Sequence, residues 1–516
     1  MEKQRESWGS KLGVILAVAG SAVGLGNFLR FPVQAVKNGG GAFMIPYIIS
    51  FLLLGLPLMW IEWTAGRFGG GFGHGTAPGI FHTMWQKNRF IKYFGVIGIF
   101  GPLVIFIYYT YIESWILGYT VFSLTPKFVS LHTAQQIKEF LNWYRNSWYS
   151  YLFFVITFLL NIIVVYFGIK KGIEKFCNWA MPLLILIGVI LVIRVLTLGS
   201  LNPSEPDSSP IKGLEYLWTP QFEKLLDPKV WLAAAGQIFF TLSVGIGVIL
   251  TYASYLRKAD DVILSGLTAA ATNEFVEVIL GGSIVIPAAF AFLGSKGAVE
   301  VAQSGSFDLG FVTIPVIFKQ ISAGSIIAFL WFLLLFIAGI TSSVSLAQPP
   351  IAFLEDEFDI PKKDAVLIYS IVTFLLCQPS IFLLKYGVVD ELDFWGGTFC
   401  LVLFGCIEAI LFSWVFGIEN AWKEMHSGAD ITLPKIYKFI IKYITPTILI
   451  IILVWFILSE GKNVILLKGV NPNNIPVIIF TRIYLLTIFV ILAIMVRESW
   501  RTRKLRVSQT FPKIKL

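Results

Sequence analysis

Charge is what this sequence has least of. Only 14% of its 516 residues are Asp, Glu, Lys or Arg, against 56% hydrophobic. A soluble chain of this length cannot clothe its surface with so few charges. That excludes a water-soluble enzyme or binding module and leaves an integral membrane protein. Cysteine is also sparse: Cys177, Cys377, Cys400 and Cys406 lie in or beside apolar runs, without the spacing of a disulfide framework or a metal site. The four histidines, His74, His82, His132 and His426, all fall in connectors, so no nucleophile–base or metal cluster is in view. A membrane-embedded enzyme is therefore not expected, nor an organic cofactor, and His74 reads as a solvated loop residue. The glycine-rich run Gly69–Gly75 lacks the Gly-Lys-Ser/Thr ending of a phosphate loop and follows no strand, which makes it a flexible connector. A secretory signal is missing too: Glu2, Lys3 and Arg5 lead into an apolar run too long for one.

What is there is a series of apolar runs. Twelve spans are expected, at roughly 11–37, 41–70, 89–124, 151–169, 176–198, 229–256, 262–293, 324–357, 364–384, 389–415, 437–459 and 475–499. Several exceed the roughly 20 residues of a straight span, so those helices must tilt, bend or protrude. With the N-terminus in the cytoplasm, 25 of the 40 Lys and Arg residues fall on its side, 12 on the other and 3 within spans. The positive-inside rule then puts both termini in the cytoplasm of a multi-pass protein of the plasma (inner) membrane. The net charge of +9 is explained by this asymmetry, so membrane lipid rather than nucleic acid is the expected polyanionic partner. Residues 134–144 read as a short external helix, and 294–323 are long enough to fold back as a lid.

Two spans are written to break. In the first, Gly24 and Gly26 each weaken a helix by roughly 1 kcal/mol relative to Ala. Asn27 and Arg30 add polar groups at membrane depth. A close-packing face would account for the glycines but not for Asn27 and Arg30. Exposed backbone and charge occur at this depth only where they line a cavity. In the sixth span Gly245 and Gly247 again follow polar residues, Thr241 and Ser243. The first span opens one group of five and the sixth opens a second group of opposite orientation. Interrupted helices at matched positions point to a midplane binding site in an inverted repeat. Residues 1–10 then form a cytoplasmic N-terminus, 11–198 the first repeat, 229–415 the second, 437–499 two further spans and 500–516 a basic tail.

The polar residues left in apolar surroundings are Glu62, Asn273, Glu274, Glu277, Thr341, Ser342 and Ser343. Asn273 and Glu277, four apart, share one helical face. Together with Asn27 and Thr241, their oxygens suit a small hard cation rather than zinc or copper. Arg5, Asp356, Arg30 and Asp393 lie near span ends, where they could pair across the two mouths of a pathway. An oxygen-lined sodium channel would not need charged pairs at both mouths.

These motifs carry a resemblance. Gly24-Leu-Gly-Asn-Phe-Leu-Arg-Phe-Pro32, Asn38-Gly-Gly-Gly-Ala-Phe43, Gln237-Ile-Phe-Phe-Thr-Leu-Ser243, Tyr252-Ala-Ser-Tyr255, Ala338-Gly-Ile-Thr-Ser-Ser343 and Asp393-Phe-Trp395 together resemble the neurotransmitter:sodium symporter family over nearly the whole chain. The resemblance implies an all-α polytopic protein of LeuT-type fold, with broken helices 1 and 6, that carries small neutral amino acids with two sodium ions by alternating access. It implies one sodium site from the carbonyl of Ala22, the side chains of Asn27, Thr241 and Asn273, and the substrate carboxylate. A second would use carbonyls of Gly20, Val23 and Ala338 with the hydroxyls of Thr341 and Ser342. Leu25 and Gly26 N–H groups and the Tyr108 hydroxyl would hold the substrate carboxylate. Carbonyls near Phe240 and Thr241, with Ser243, would hold its ammonium, and Val104, Phe240, Ile246, Ser342 and Leu346 would surround its side chain. Ser21 and Ile246 stand where leucine-transporting members carry the larger Asn and Phe, which implies a roomier pocket. Glu277 stands where chloride-dependent members carry Ser, so chloride independence is expected. The implied gates are Arg30 with Asp393 outside and Arg5 with Asp356 inside, and the chain could assemble as a homodimer.

Overall fold

The structure, a computed structural model, describes residues 6–202, 205 and 207–510. Hydrocarbon offers no partner to a backbone N–H or C=O, so apolar runs of this length can satisfy themselves only as helices. Among the described residues there is no strand. The spanning segments begin with α1 (Lys11–Ala22) and α2 (Leu25–Lys37), bent by 50° at their junction. Then come α3 (Gly41–Gly70), α4 (Ile91–Phe122), α5 (Trp148–Tyr166) and α6 (Ile169–Leu196). A second interrupted pair follows, α7 (Pro228–Thr241) and α8 (Val248–Ala253). The rest are α9 (Ile263–Gln303), α10 (Gly324–Phe358), α11 (Lys362–Phe382), α12 (Val388–Val415), α13 (Ile436–Ile465) and α14 (Pro472–Thr502). Among the described residues, ten continuous helices are long and apolar enough to cross a membrane. With the two interrupted pairs this is consistent with the twelve spans read from the sequence.

Burial sorts the helices. The most apolar stretch of α4 is 83% buried, whereas those of α13 and α14 are 28% buried and present most of their surface outward. The interrupted pair α1–α2 lies at the centre, with α1 against α9 and α10, and α10 also packs along α4. The pair α7–α8 leans on α3. The short helix expected over 134–144 runs over Ala134–Asn146, opened by a capping box in which Thr133 accepts from the N–H of Gln136. α9 extends further than expected: it bends at Gly294, whose φ of 67° interrupts the helix, and continues to Gln303. In α12 a π-helical turn covers Asp393–Phe399. Such turns re-aim side chains near functional sites, and this one carries Asp393 and Gly397.

Candidate functional site

The two breaks meet. Gly24 caps α2, its N–H bound by the Asn27 side-chain oxygen at 2.8 Å. The first turn of α2 thereby leaves the N–H groups of Leu25 and Gly26 without intrahelical acceptors, at the positive end of the helix dipole. Between α7 and α8, Gly245 and Gly247 take φ of 76° and 84°, and Ser243 takes 53°. A non-glycine residue rarely adopts that conformation unless its surroundings impose it. Here the Ser243 hydroxyl donates to the carbonyl of Ser21 at 3.0 Å, tying one break to the other. From α3, the buried Glu62 carboxyl accepts the Gly245 N–H at 2.6 Å.

Around this junction the polar residues form two clusters. In one, the Asn27 amide donates to Thr241 Oγ1 at 3.1 Å, Asn273 Oδ1 at 2.8 Å and Glu277 Oε2 at 3.0 Å. Asn273 donates to Thr241 at 3.0 Å. Glu277 gathers further donors from Gln237 at 2.9 Å, from Tyr47 at 3.0 Å and from the Thr241 hydroxyl. In the other cluster, Ser342 Oγ lies within 3.5 Å of four carbonyls: Gly20 at 3.5 Å, Ser21 at 3.1 Å, Val23 at 3.3 Å and Ala338 at 3.2 Å. Thr341 Oγ1 lies 3.1 Å from the Ala338 carbonyl. One hydroxyl hydrogen cannot satisfy four acceptors. That surplus of oxygen lone pairs, with no charged donor among them, fits a small hard cation.

A chamber of about 70 Å³ opens beside both clusters. Ser21, Ala22, Leu25, Gly26, Asn27, Phe240, Thr241, Ser243, Ile246, Ser342 and Leu346 all line it, as read from the sequence. Ile105, Tyr109, Ser345, Gly397 and Leu401 line it as well, and the sequence reading had not singled them out. Phe240 roofs the chamber: a Cβ built on Gly26 would come within 2.5 Å of its ring, so only glycine allows the ring to close down there. The Arg30 guanidinium lies 4.3 Å from the Phe240 ring centroid, on the side away from the chamber. Beyond it is a vestibule of about 330 Å³ lined by Arg30, Asp393, Tyr108, Phe307 and others.

Four of the residues and pairs singled out in the sequence are placed as follows. Val104 is fully buried, packs towards Gly396 and does not line the chamber; its neighbour Ile105 does. Tyr108 reaches the chamber wall, but its hydroxyl donates to Asp393 at 2.5 Å. The hydroxyl at the α2 cradle is that of Tyr109, which accepts from the Leu25 N–H at 3.4 Å. Successive helical residues differ by about 100° in direction, so a one-residue slip moves both positions to another face. Arg30 and Asp393 face the same vestibule without an ion pair within 4 Å among the described residues, so the outer pair is apart in this conformation. His74 is not solvated: it is buried, pairs with Glu357 at 2.7 Å and stacks on Trp500. Of the inner pair, Asp356 lies near the end of α10, and Arg5 lies outside the described residues.

A sequence profile of the Sodium:neurotransmitter symporter family matches residues 5–140 and 148–502. The chain belongs to this family. It is 30% identical to an uncharacterized sodium-dependent transporter of Methanocaldococcus jannaschii over 503 residues, covering 95% of this chain and 97% of that one. It is 25% identical to the sodium-dependent nutrient amino acid transporter 1 of Drosophila virilis over 510 residues, covering 88% of this chain and 77% of that one. The crystal structure of MhsT in complex with L-phenylalanine superposes with a TM-score of 0.74 at 31% identity, covering 87% of this chain and 99% of that chain. The symporter thus has the LeuT-type fold, spans a membrane many times, and is a sodium-coupled transporter rather than an enzyme. Missed polar contributors such as Tyr47 and Gln237 carried a usable signal, being hydrogen-bonding residues inside apolar spans. Ile105, Gly397 and Leu401 carried none, because apolar wall residues look like any other core.

Proposed function

We propose that this symporter couples two sodium ions to the uptake of small neutral, mainly hydrophobic amino acids by alternating access, without chloride. The crowding of carbonyl and hydroxyl oxygens on both sides of one chamber carries the reading. Asn27, Thr241 and Asn273, with the Ala22 carbonyl and the substrate carboxylate, would hold one sodium ion. Gly20, Val23, Ala338, Thr341 and Ser342 would hold the other. The N–H groups of Leu25 and Gly26, which lack intrahelical acceptors, suit a carboxylate at a helix N-terminus, and Tyr109, which accepts from the Leu25 N–H, adds a hydroxyl. Ser243 and the carbonyls freed by the α7–α8 break suit the ammonium. No residue lining the chamber is charged. A substrate with an ionised side chain would be desolvated there without a partner, which is costly. Asp, Glu, Lys and Arg are therefore expected to compete poorly with neutral amino acids.

Two sodium ions crossing with a zwitterion carry net charge. A tenfold sodium gradient and 100 mV together supply about 7.4 kcal/mol, enough for a concentration ratio of about 10⁵. During the cycle Arg30 and Asp393 would approach over Phe240 to close the outside, and Arg5 with Asp356 would close the inside. Uptake of a panel of radiolabelled amino acids into proteoliposomes of the purified protein tests the assignment. Uptake should require external sodium, rise cooperatively with it and grow with an inside-negative potential. Uptake unchanged when sodium is replaced by choline would overturn it. Thr341→Val, which removes a hydroxyl from the second cluster and keeps the shape, should raise the half-saturating sodium concentration about tenfold, as expected for one lost ligand hydrogen-bonding group.

A further inference from the structure

At the base of the chamber two hydroxyls face one another: Ser21 Oγ and Ser345 Oγ lie 2.7 Å apart, on the α1 break and on α10. Both side chains are buried and both line the chamber. Ser345 Oγ lies 2.7 Å from the carbonyl of Ser342, to which it donates. Its hydrogen is therefore spent along its own helix, and the bond between the two hydroxyls uses the hydrogen of Ser21. Each hydroxyl has one donor and two acceptor lone pairs. The pair is left with three acceptor sites and no hydrogen to give. Of the other residues lining the chamber, Ile105, Ile246, Leu346 and Leu401 are aliphatic and supply no donor.

We propose that, among the shortest of the neutral substrates, Ser21 and Ser345 favour the hydroxyl-bearing amino acids threonine and serine over their apolar counterparts valine and alanine. The inference rests on the chamber being the amino-acid site. A threonine side chain gives its hydroxyl hydrogen to the unmet lone pairs of the serine pair and lays its methyl group on the aliphatic wall. Valine has the same shape but displaces water from those lone pairs and offers nothing in return. A site built around a polar group rejects the analogue that leaves it unpaired far more strongly than an aliphatic pocket discriminates a methyl from a hydroxyl.

The test is sodium-dependent uptake of radiolabelled threonine and of radiolabelled valine into proteoliposomes, each at varied concentration. The wild type, Ser21→Ala and Ser345→Ala would be compared. The wild type should favour threonine by about tenfold or more in kcat/KM, ~1.4 kcal/mol. In each variant that ratio should fall towards one, chiefly through KM. Because the ratio is taken within one protein, it does not depend on how much of a variant folds. A wild type that favours valine, or a threonine preference unchanged in both variants, would overturn the inference while leaving amino-acid transport intact. If neither valine, threonine nor any other neutral amino acid shows sodium-dependent uptake, it is the assignment of the chamber itself that falls.

Discussion

Glu277→Ser is expected to turn a chloride-indifferent transporter into one that needs chloride. The carboxyl is fully buried and meets Asn27, Gln237, Tyr47 and Thr241, all of them donors. Within that shell it is acceptor only, and it touches both Asn27 and Thr241, the groups proposed to bind one of the sodium ions. A negative charge fixed there offsets the incoming cation; in a desolvated setting an uncompensated charge is strongly unfavourable. Serine keeps a small polar group but removes the charge and leaves the amide and phenol donors converging on a vacated space. A monovalent anion is what such a set of donors binds. Uptake by the variant in gluconate buffer should fall on the order of a hundredfold, ~2.7 kcal/mol. It should recover as chloride is added, while wild-type uptake stays the same in both buffers. Wild-type uptake that collapses without chloride would show that Glu277 does not play this part. A variant that stays inactive at all chloride concentrations, though folded and sodium-binding, would argue that the carboxyl does more than supply charge.

Much of this arrangement could be read before any coordinates existed, because a membrane makes polarity conspicuous. Asn27, Arg30, Thr241, Asn273 and Glu277 stand out against apolar neighbours, and the structure gathers all but Arg30 into one cluster. The Gly-x-Gly pairs stand at both breaks, and at the second Gly245 and Gly247 take φ of 76° and 84°, which lets the chain leave and re-enter a helix. What could not be read was rotation about a helix axis. Val104 and Ile105 are equally apolar and Tyr108 and Tyr109 are identical, so α4, hydrophobic all round and mostly buried, offers no amphipathic stripe to set its phase. His74 failed for a related reason. Its loop is glycine-rich and looks solvated, but the C-terminal end of α10 and Trp500 of α14 fold over it from more than 280 residues away in sequence, at Glu357 and beyond. The serine pair escaped notice because a hydroxyl in a span is usually satisfied by its own helix. Only the 2.7 Å approach of Ser21 distinguishes Ser345 from such a case.

The phase of α4 has a direct functional consequence. Tyr109→Phe should weaken the substrate severely and Tyr108→Phe should not. The Tyr109 hydroxyl accepts from the Leu25 N–H, the first donor of α2 without an intrahelical acceptor, and so uses a lone pair there while keeping its hydrogen available to a carboxylate at the same place. Removing it deletes one of the donors to a charged group, a bond worth about 1.5–3 kcal/mol, so KM should rise about 10- to 150-fold. The Tyr108 hydroxyl is already committed, through a 2.5 Å bond, to Asp393 on the far side of Phe240. Its loss frees Asp393 in a hydrated vestibule, where solvent replaces the bond. The expected change in KM is below about tenfold, and any larger effect should appear in the accessibility of a cysteine placed in the vestibule. Measuring uptake kinetics for both variants with the same radiolabelled amino acid separates the two positions. If Tyr108→Phe proved the more damaging in KM, the cradle at the start of α2 would not be where the carboxylate binds. Equal and small effects would mean that the N–H groups of Leu25 and Gly26 hold the carboxylate without help from α4.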